Sequence, residues 1–141
     1  MTPTSMIELS PVSRAFLEAP RVATLATVTA SGTPVQAVIW FRLEPDDSIL
    51  VNSRLPRRWP TALLHSRRAS LSVIDENDGL RWLGMDCHVL TVDDDIDRAR
   101  ADIVALAHRY DDLGAVPEFM TQSRISFRLA ISSVHDHLGD E

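Results

Sequence analysis

The chain carries a single cysteine, Cys87, among its 141 residues. An internal disulfide is therefore excluded, which suits a reducing compartment and makes the cytoplasm the expected location. No apolar run reaches the ~20 residues that a membrane-crossing helix needs, so no membrane is expected among its partners. The opening stretch MTPTSMIELSP lacks a basic region followed by an apolar one, and no secretory leader is expected. Glycine is scarce, at five residues, and none falls in the G-x-G-x-x-G spacing of a Rossmann dinucleotide site. Ser70 and Ser72 have no nucleophile-elbow setting, so nothing supports a hydrolase. Positive charge is the minority sign: 14 Lys and Arg face 20 Asp and Glu, a net charge of −6. That balance argues against a nucleic-acid or anionic-membrane surface while leaving room for a local basic site.

What is present is an ordinary globular composition, 45% apolar and 24% charged. The length suits one domain, residues 1–141, with a core of its own. Ser10 and Pro11 suit the start of a short helix, with Val12 and Phe16 on its apolar side and Pro20 ending it. Two strand-like runs, 21–29 and 33–43, are joined by Ala30-Ser31-Gly32 and predict a β-hairpin. In the second run Val35, Ala37, Ile39, Phe41 and Leu43 share one face. Gln36, Val38, Trp40 and Arg42 share the other, too apolar for plain solvent and too polar for plain core. That face meets a ligand or a second subunit.

Further strands are expected at 48–53 and 69–75, separated by a basic helix over about 56–66. A long strand follows at about 80–92, where Gly84 suggests a bulge or sharp bend. A helix over 93–110 carries Asp93, Asp94, Asp95 and Asp97 at its start and His108 and Arg109 at its end, as the macrodipole favours. The final strand alternates Ile125, Phe127, Leu129 and Ile131 with Arg124, Ser126, Arg128 and Ala130, whose polar side reads as solvated or ion-paired. Six strands in hairpins predict a mainly β fold, a small antiparallel barrel with peripheral helices.

Two clusters have bland readings. His135-Asp136-His137 lacks further ligands at metal-binding spacing and reads as a frayed tail, so no metal is expected. Cys87 reads as a buried structural thiol. The segment SILVNSRLPRRWP carries more chemistry. A strand ending in Asn52-Ser53 leads to Arg57 and Arg58 at a helix start, where backbone N–H groups, the helix dipole and the guanidinium groups all favour an anion. The competing reading is a solvated basic helix beside Arg67 and Arg68.

Four segments carry a family resemblance: RVATLATVTASGTPVQAVIWF at 21–41, ILVNSRLPRRWPTALLHSRRASLSV at 49–73, DENDGLRWLGM at 75–85 and RISFRLAISSV at 124–134. In order and spacing the chain resembles the pyridoxamine 5′-phosphate oxidase-like split-barrel family, in particular its flavin- and deazaflavin-binding actinobacterial branch that uses coenzyme F420. The resemblance implies a homodimer of six-stranded antiparallel split barrels with cofactor clefts between subunits. It implies that Val38 and Trp40 lie near the isoalloxazine-type ring, and that Asn52, Ser53 and Arg57 face phosphate or ribityl-like groups. The implied cofactor is F420, with FMN as the alternative. The implied activity is hydride transfer between that cofactor and a small unsaturated organic substrate, with no catalytic side chain assigned.

One departure stands out. The family usually places a lysine two residues after the first arginine and an asparagine beyond it, where this chain has Trp59 and Ala62. The Trp59 indole N–H can donate one hydrogen bond, and Arg58 supplies the missing charge. If partly exposed, position 59 would accept lysine at little cost to the fold. The departure keeps a second class open, a flavin- or small-ligand-binding protein without turnover. Trp40 reads equally as a stacking platform and as a dimer anchor, while Trp82 reads as packing.

Overall fold

The computed structural model describes residues 7–139. The first six residues, part of the stretch read above for a leader, lie outside the described residues. The chain runs α1 (Pro11–Glu18), β1 (Ala23–Val28), β2 (Pro34–Ile39), β3 (Arg42–Leu43), β4 (Ile49–Arg54), α2 (Arg58–Ser66), β5 (Arg68–Asp75), β6 (Asp78–Asp93), α3 (Ile96–Arg109), α4 (Val116–Phe119) and β7 (Arg124–His137). The strands form one antiparallel sheet in the order β2-β1-β5-β6-β7-β4-β3, curled around a single apolar core. This is the expected mainly β barrel with peripheral helices, with seven strands among the described residues instead of six.

The extra strand comes from a break in the run over 33–43. β2 pairs with β1 only as far as Ile39, and Arg42–Leu43 pairs with Leu50 and Ile49 of β4 instead. At the break, the Phe41 N–H donates to the Tyr110 hydroxyl at 3.2 Å, and its carbonyl accepts from Arg109 Nε at 2.8 Å. The end of α3 thus replaces the lost ladder partner, as a buried backbone group requires. Arg109 also binds the carbonyls of Leu17, Glu18 and Ala19, closing the C-terminus of α1.

Several sequence expectations change in detail. Ser10 caps α1 as expected, but its buried side is Ser13, Phe16 and Leu17, with Val12 left 40% exposed. α2 starts at Arg58 and not at 56, with Arg57 as its N-cap. Gly32 does turn the β1–β2 hairpin, with a φ of +87° that glycine accepts without strain. Gly84 makes no bulge: it pairs with Ser72 and His135, and the register shifts lie at Asp86/Cys87 and Val89/Thr91. Its role is space. A Cβ there would come within 2.8 Å of the Trp82 ring, which is stacked on His137 with centroids 4.4 Å apart. His135, Asp136 and His137 are accordingly part of β7, paired with β6, and not a frayed tail. Among the described residues no cluster of three metal-ligating side chains exists.

The last strand departs most. Arg124 and Ser126 are buried, because α3 lies across the outer face of β4 and β7. Both strands are therefore covered twice. Ile125, Phe127 and Leu129 face the barrel core, whereas Leu50 of β4 packs outward with Ile103 and Leu106. Each fully buried Leu, Ile or Phe contributes roughly 1.5–3 kcal/mol, so this second layer is a substantial share of the fold.

Cys87 is buried as expected. Burial first, and Asp86 second, push its thiol up to about 12. An unfolded thiol ionises near pH 8.5, so the folded state holds its proton more tightly. The resulting stability is fully present below about pH 8.5 and is lost as pH rises toward the folded value. Relative to Cys87→Ala, the wild type is expected to lose roughly 2–3 kcal/mol between pH 8 and pH 11. Urea denaturation of both proteins across that range measures it, and parallel curves would refute it.

Candidate functional site

The sheet closes incompletely. β2 pairs only with β1, and β4 meets β3 only at Ile49 and Leu50, which leaves the edge of β2 and the Asn52–Arg54 end of β4 without a second strand. A cleft of about 600 Å3 lies along these free edges, bordered also by the start of α2, by Ile103 and Leu106 of α3, and by Glu118, Phe119, Gln122 and Arg124. Val38, Trp40, Asn52, Ser53, Arg57, Arg58 and Trp59, the residues singled out by sequence, all line it.

Their situations differ. Val38 is 71% exposed at the rim. Trp40 stacks on Tyr110, with centroids 5.2 Å apart and planes 8° apart, and takes the Phe119 ring edge-on at 6.5 Å. Together with Ile103 and Leu106 these rings make part of the cleft apolar. The mixed face over 36–42 is not continuous, because Arg42 turns to Glu44 in an ion pair at 2.9 Å. Arg57 and Arg58 are exposed at the start of α2. Trp59 is only 7% exposed, tilted against Phe127 with centroids 6.2 Å apart. The indole is a wall of the core as much as of the cleft.

Asn52 is buried and fully engaged. Its Nδ2 donates to the Ala99 carbonyl at 2.9 Å and to Ser126 Oγ at 2.8 Å, and its Oδ1 accepts from Arg124 Nε at 3.0 Å. Ser126 Oγ in turn donates to Asp102 at 2.7 Å. Asn52 therefore positions neighbours, with both of its N–H donors taken and its Oδ1 already accepting from Arg124. Ser53, on the opposite face of β4, is 1% exposed, and its Oγ has no partner among the described residues. A buried hydroxyl without a partner is costly and uncommon, so a ligand atom at this point would satisfy it.

The electrostatics are one-sided. Arg54, Arg57, Arg58 and Arg124 line the cleft, against one carboxylate, Glu118. None of the four forms an ion pair among the described residues, whereas Arg14, Arg21, Arg42, Arg81, Arg98 and Arg128 all do. Burial, then Arg57 and Arg54, lower the Arg124 guanidinium to about 10. Four guanidinium groups without an ion pair among the described residues line one cavity, an arrangement that favours an anion. Sequence reading missed Arg124. Its alternation with Ile125 placed it on the polar face, but only the docking of α3 turns that face inward.

A larger groove of about 820 Å3 over β1, β5 and β6 lacks this polarity. It is lined by two arginines, Arg67 and Arg68, and one carboxylate, Asp86, which accepts from Ser133 Oγ at 2.7 Å and lies 3.3 Å from His135.

With this geometry in hand, the comparisons with known proteins are direct. The sequence profile of pyridoxamine 5′-phosphate oxidase matches residues 9–136, which runs from the start of α1 almost to the end of β7. The chain belongs to the pyridoxamine 5′-phosphate oxidase family. The fold is shared with an F420 reductase at TM-score 0.80 and 22% identity, over 90% of this chain and 98% of that one. A conserved hypothetical protein from Mycobacterium tuberculosis aligns at TM-score 0.71 and 18% identity, over 97% of this chain and 91% of that one. HutZ, the heme storage protein from Vibrio cholerae, aligns at TM-score 0.70 and 21% identity, over 92% and 95%. No curated protein matches the sequence. At these identities the likenesses carry the fold, and the family's split barrel is the one described above.

Proposed function

We propose that the protein is an oxidoreductase that binds F420, or FMN in its place, in the split of the barrel. Its reaction is hydride transfer to or from a small unsaturated organic molecule. The observation that carries this reading is the make-up of the cleft, which combines arginines without ion pairs, Arg57 and Arg58 at the start of α2 among them, with an apolar aromatic shelf. A phosphorylated tricyclic cofactor carries the complementary pair, an anionic group and a ring. The buried Ser53 Oγ, without a partner among the described residues, is the test of fit on the chain's side, since a polar ligand atom beside it would satisfy it. The F420 reductase fold supports the choice of cofactor.

In this reading Arg57, Arg58 and the N-terminus of α2 hold the phosphate, and Ser53 bonds a phosphate or ribityl-type oxygen. Trp40, Phe119 and Ile103 exclude water from the ring end. The free N–H and C=O groups along β2 offer alternating donors and acceptors to the polar edge of a heterocycle. When bound, the flavin-type group supplies the hydride chemistry, and the protein supplies orientation. Glu118, the lone carboxylate of the cleft, is exposed, so solvent provides the proton for the product. The buried Cys87 suits a reducing, cytoplasmic setting.

The cleft is open along Val38 and Val22, which are 71% and 46% exposed. A second copy closing over this rim completes the site as a symmetric homodimer, burying more than ~1,200 Å2 in total. Sedimentation as a monomer at micromolar concentration would refute the assembly.

The second reading is a binder without turnover, favoured by the absence of a buried acid or base among the cleft's lining residues. Side-by-side titration with F420 and FMN, followed by fluorescence, and turnover on a quinone and enone panel separate the two. Binding with oxidation of the reduced cofactor is expected. Binding without it under every substrate favours the binder without turnover, and no binding of either cofactor rejects the oxidoreductase.

A further inference from the structure

Arg124 is the only one of the cleft's four arginines that is buried, at 6% exposure, and every partner it has is neutral. Its Nε donates to Asn52 Oδ1 at 3.0 Å and its Nη1 to Gln122 Oε1 at 2.6 Å, while the guanidinium lies 5.0 Å from the Phe119 ring centroid. Nη2 makes no hydrogen bond within the described residues. Directly across the ladder, Arg124 is paired with Arg54, so two like charges share one face of the sheet. Such a pair is unfavourable, and a buried cation without an acid is more so. The partners that hold Arg124 are themselves held. Asn52 is fixed by Ala99 and Ser126, Ser126 by Asp102, and the Gln122 carbonyl by Arg100 at 2.9 Å. This is a cation kept in a fixed pose in the lining of the cleft, with no acidic partner among the described residues.

We propose that Arg124 and Arg54 form an inner anion subsite, distinct from the helix-start arginines Arg57 and Arg58, that takes a second negatively charged oxygen of the ligand, on the same phosphate monoester or on a further acidic group. The proposal rests on the cleft being the cofactor site, and it adds a requirement for charge. A single phosphodiester satisfies the outer arginines and leaves the inner pair uncompensated. A ligand bearing at least two negative charges satisfies both. The guanidinium fork suits a planar carboxylate or a phosphate face, and Asn52 orients that fork without touching the ligand. Arg124 is thus a specificity-determining contact.

The experiment compares wild type, Arg124→Gln, Arg124→Lys and Arg57→Gln with four probes: riboflavin, FMN, inorganic phosphate and inorganic pyrophosphate. Affinity is read by calorimetry and the melting temperature by thermal shift at fixed ionic strength. Pyrophosphate is expected to raise the wild-type melting temperature more than phosphate does, and the increment is expected to vanish in Arg124→Gln. The FMN-to-riboflavin affinity ratio should fall roughly 10- to 100-fold in Arg124→Gln, with riboflavin affinity unchanged. Arg124→Lys, which keeps the charge and can still donate to Asn52, should retain part of the ratio and serves as the readout if the glutamine variant does not fold. A proportional loss of riboflavin and FMN affinity would assign Arg124 a structural role only and overturn the proposal. So would an unchanged ratio, or an equal pyrophosphate shift in wild type and Arg124→Gln. If the wild type binds no flavin yet keeps an Arg124-dependent pyrophosphate shift, the cofactor reading fails and the subsite stands.

Discussion

Trp59→Lys is expected to cost about 3–5 kcal/mol of folding stability, the range for removing a buried tryptophan from a core. The melting temperature should fall by roughly 10–20 °C. The departure at this position suggests at first that lysine would restore a usual phosphate ligand at little cost. The structure reverses that expectation. Trp59 is 7% exposed, packs on the Phe127 ring and belongs to the main core with Ala62 and Leu63. Lysine at that site would empty the indole's volume and bring an ammonium group beside Arg57 and Arg58. Its long stem reaches solvent only by leaving the core unfilled. Trp59→Phe, which keeps an aromatic plug, should lose less than half as much stability. Chemical denaturation of the two variants measures the difference. Equal stability of wild type and Trp59→Lys would show that the indole is not a structural element and would restore the charge-replacement idea.

Arg57→Ala is expected to weaken a phosphate-bearing ligand by about 1.5–3 kcal/mol, roughly 10- to 150-fold in affinity. Arg58→Ala should cost a similar amount if it supplies the charge absent at Trp59. Neither arginine has an acidic partner among the described residues, so neither removal breaks an ion pair. Folding stability should therefore stay within about 0.5 kcal/mol of wild type, as for ordinary surface changes. The combination separates binding from folding. Calorimetry with FMN and F420 gives the first quantity and urea denaturation the second. Unchanged affinity in both single variants and in the double variant would mean that the start of α2 is solvated surface.

The residues of the cleft were legible to different degrees, for physical reasons. Asn52, Ser53, Arg57 and Arg58 sit within one short strand-to-helix junction, so sequence proximity alone brings them together. Val38 and Trp40 come from another hairpin, and their presence in the same cleft depends on where the sheet fails to close. Asn52 was expected to face a ligand, yet both of its N–H donors go to Ala99 and Ser126 and its Oδ1 accepts from Arg124, contacts that span 47 to 74 residues of sequence. No local pattern records such partners. Trp82 and His137 illustrate the same point, since their stacking holds the end of β7 on β6 where sequence reading saw a loose tail.

Local chemistry determined much by itself. Alternation of apolar residues marked the strands, Ser10 marked one helix start and the aspartates over 93–97 another, which the structure sets at Ile96 and not at 93, and Gly32 marked the hairpin. The single cysteine excluded a disulfide, and the succession of elements identified the barrel. Those features depend on neighbours a few residues apart, where periodicity, capping and turn preference operate. Only the tertiary structure decided which faces were covered. Placing α3 over β4 and β7 turned a polar strand face into a buried one, set Arg124 opposite Arg54, and left that pair with neutral hydrogen-bond partners. Burial is a sum over distant elements, and the charge in the lining of the cleft acquires its meaning from that sum.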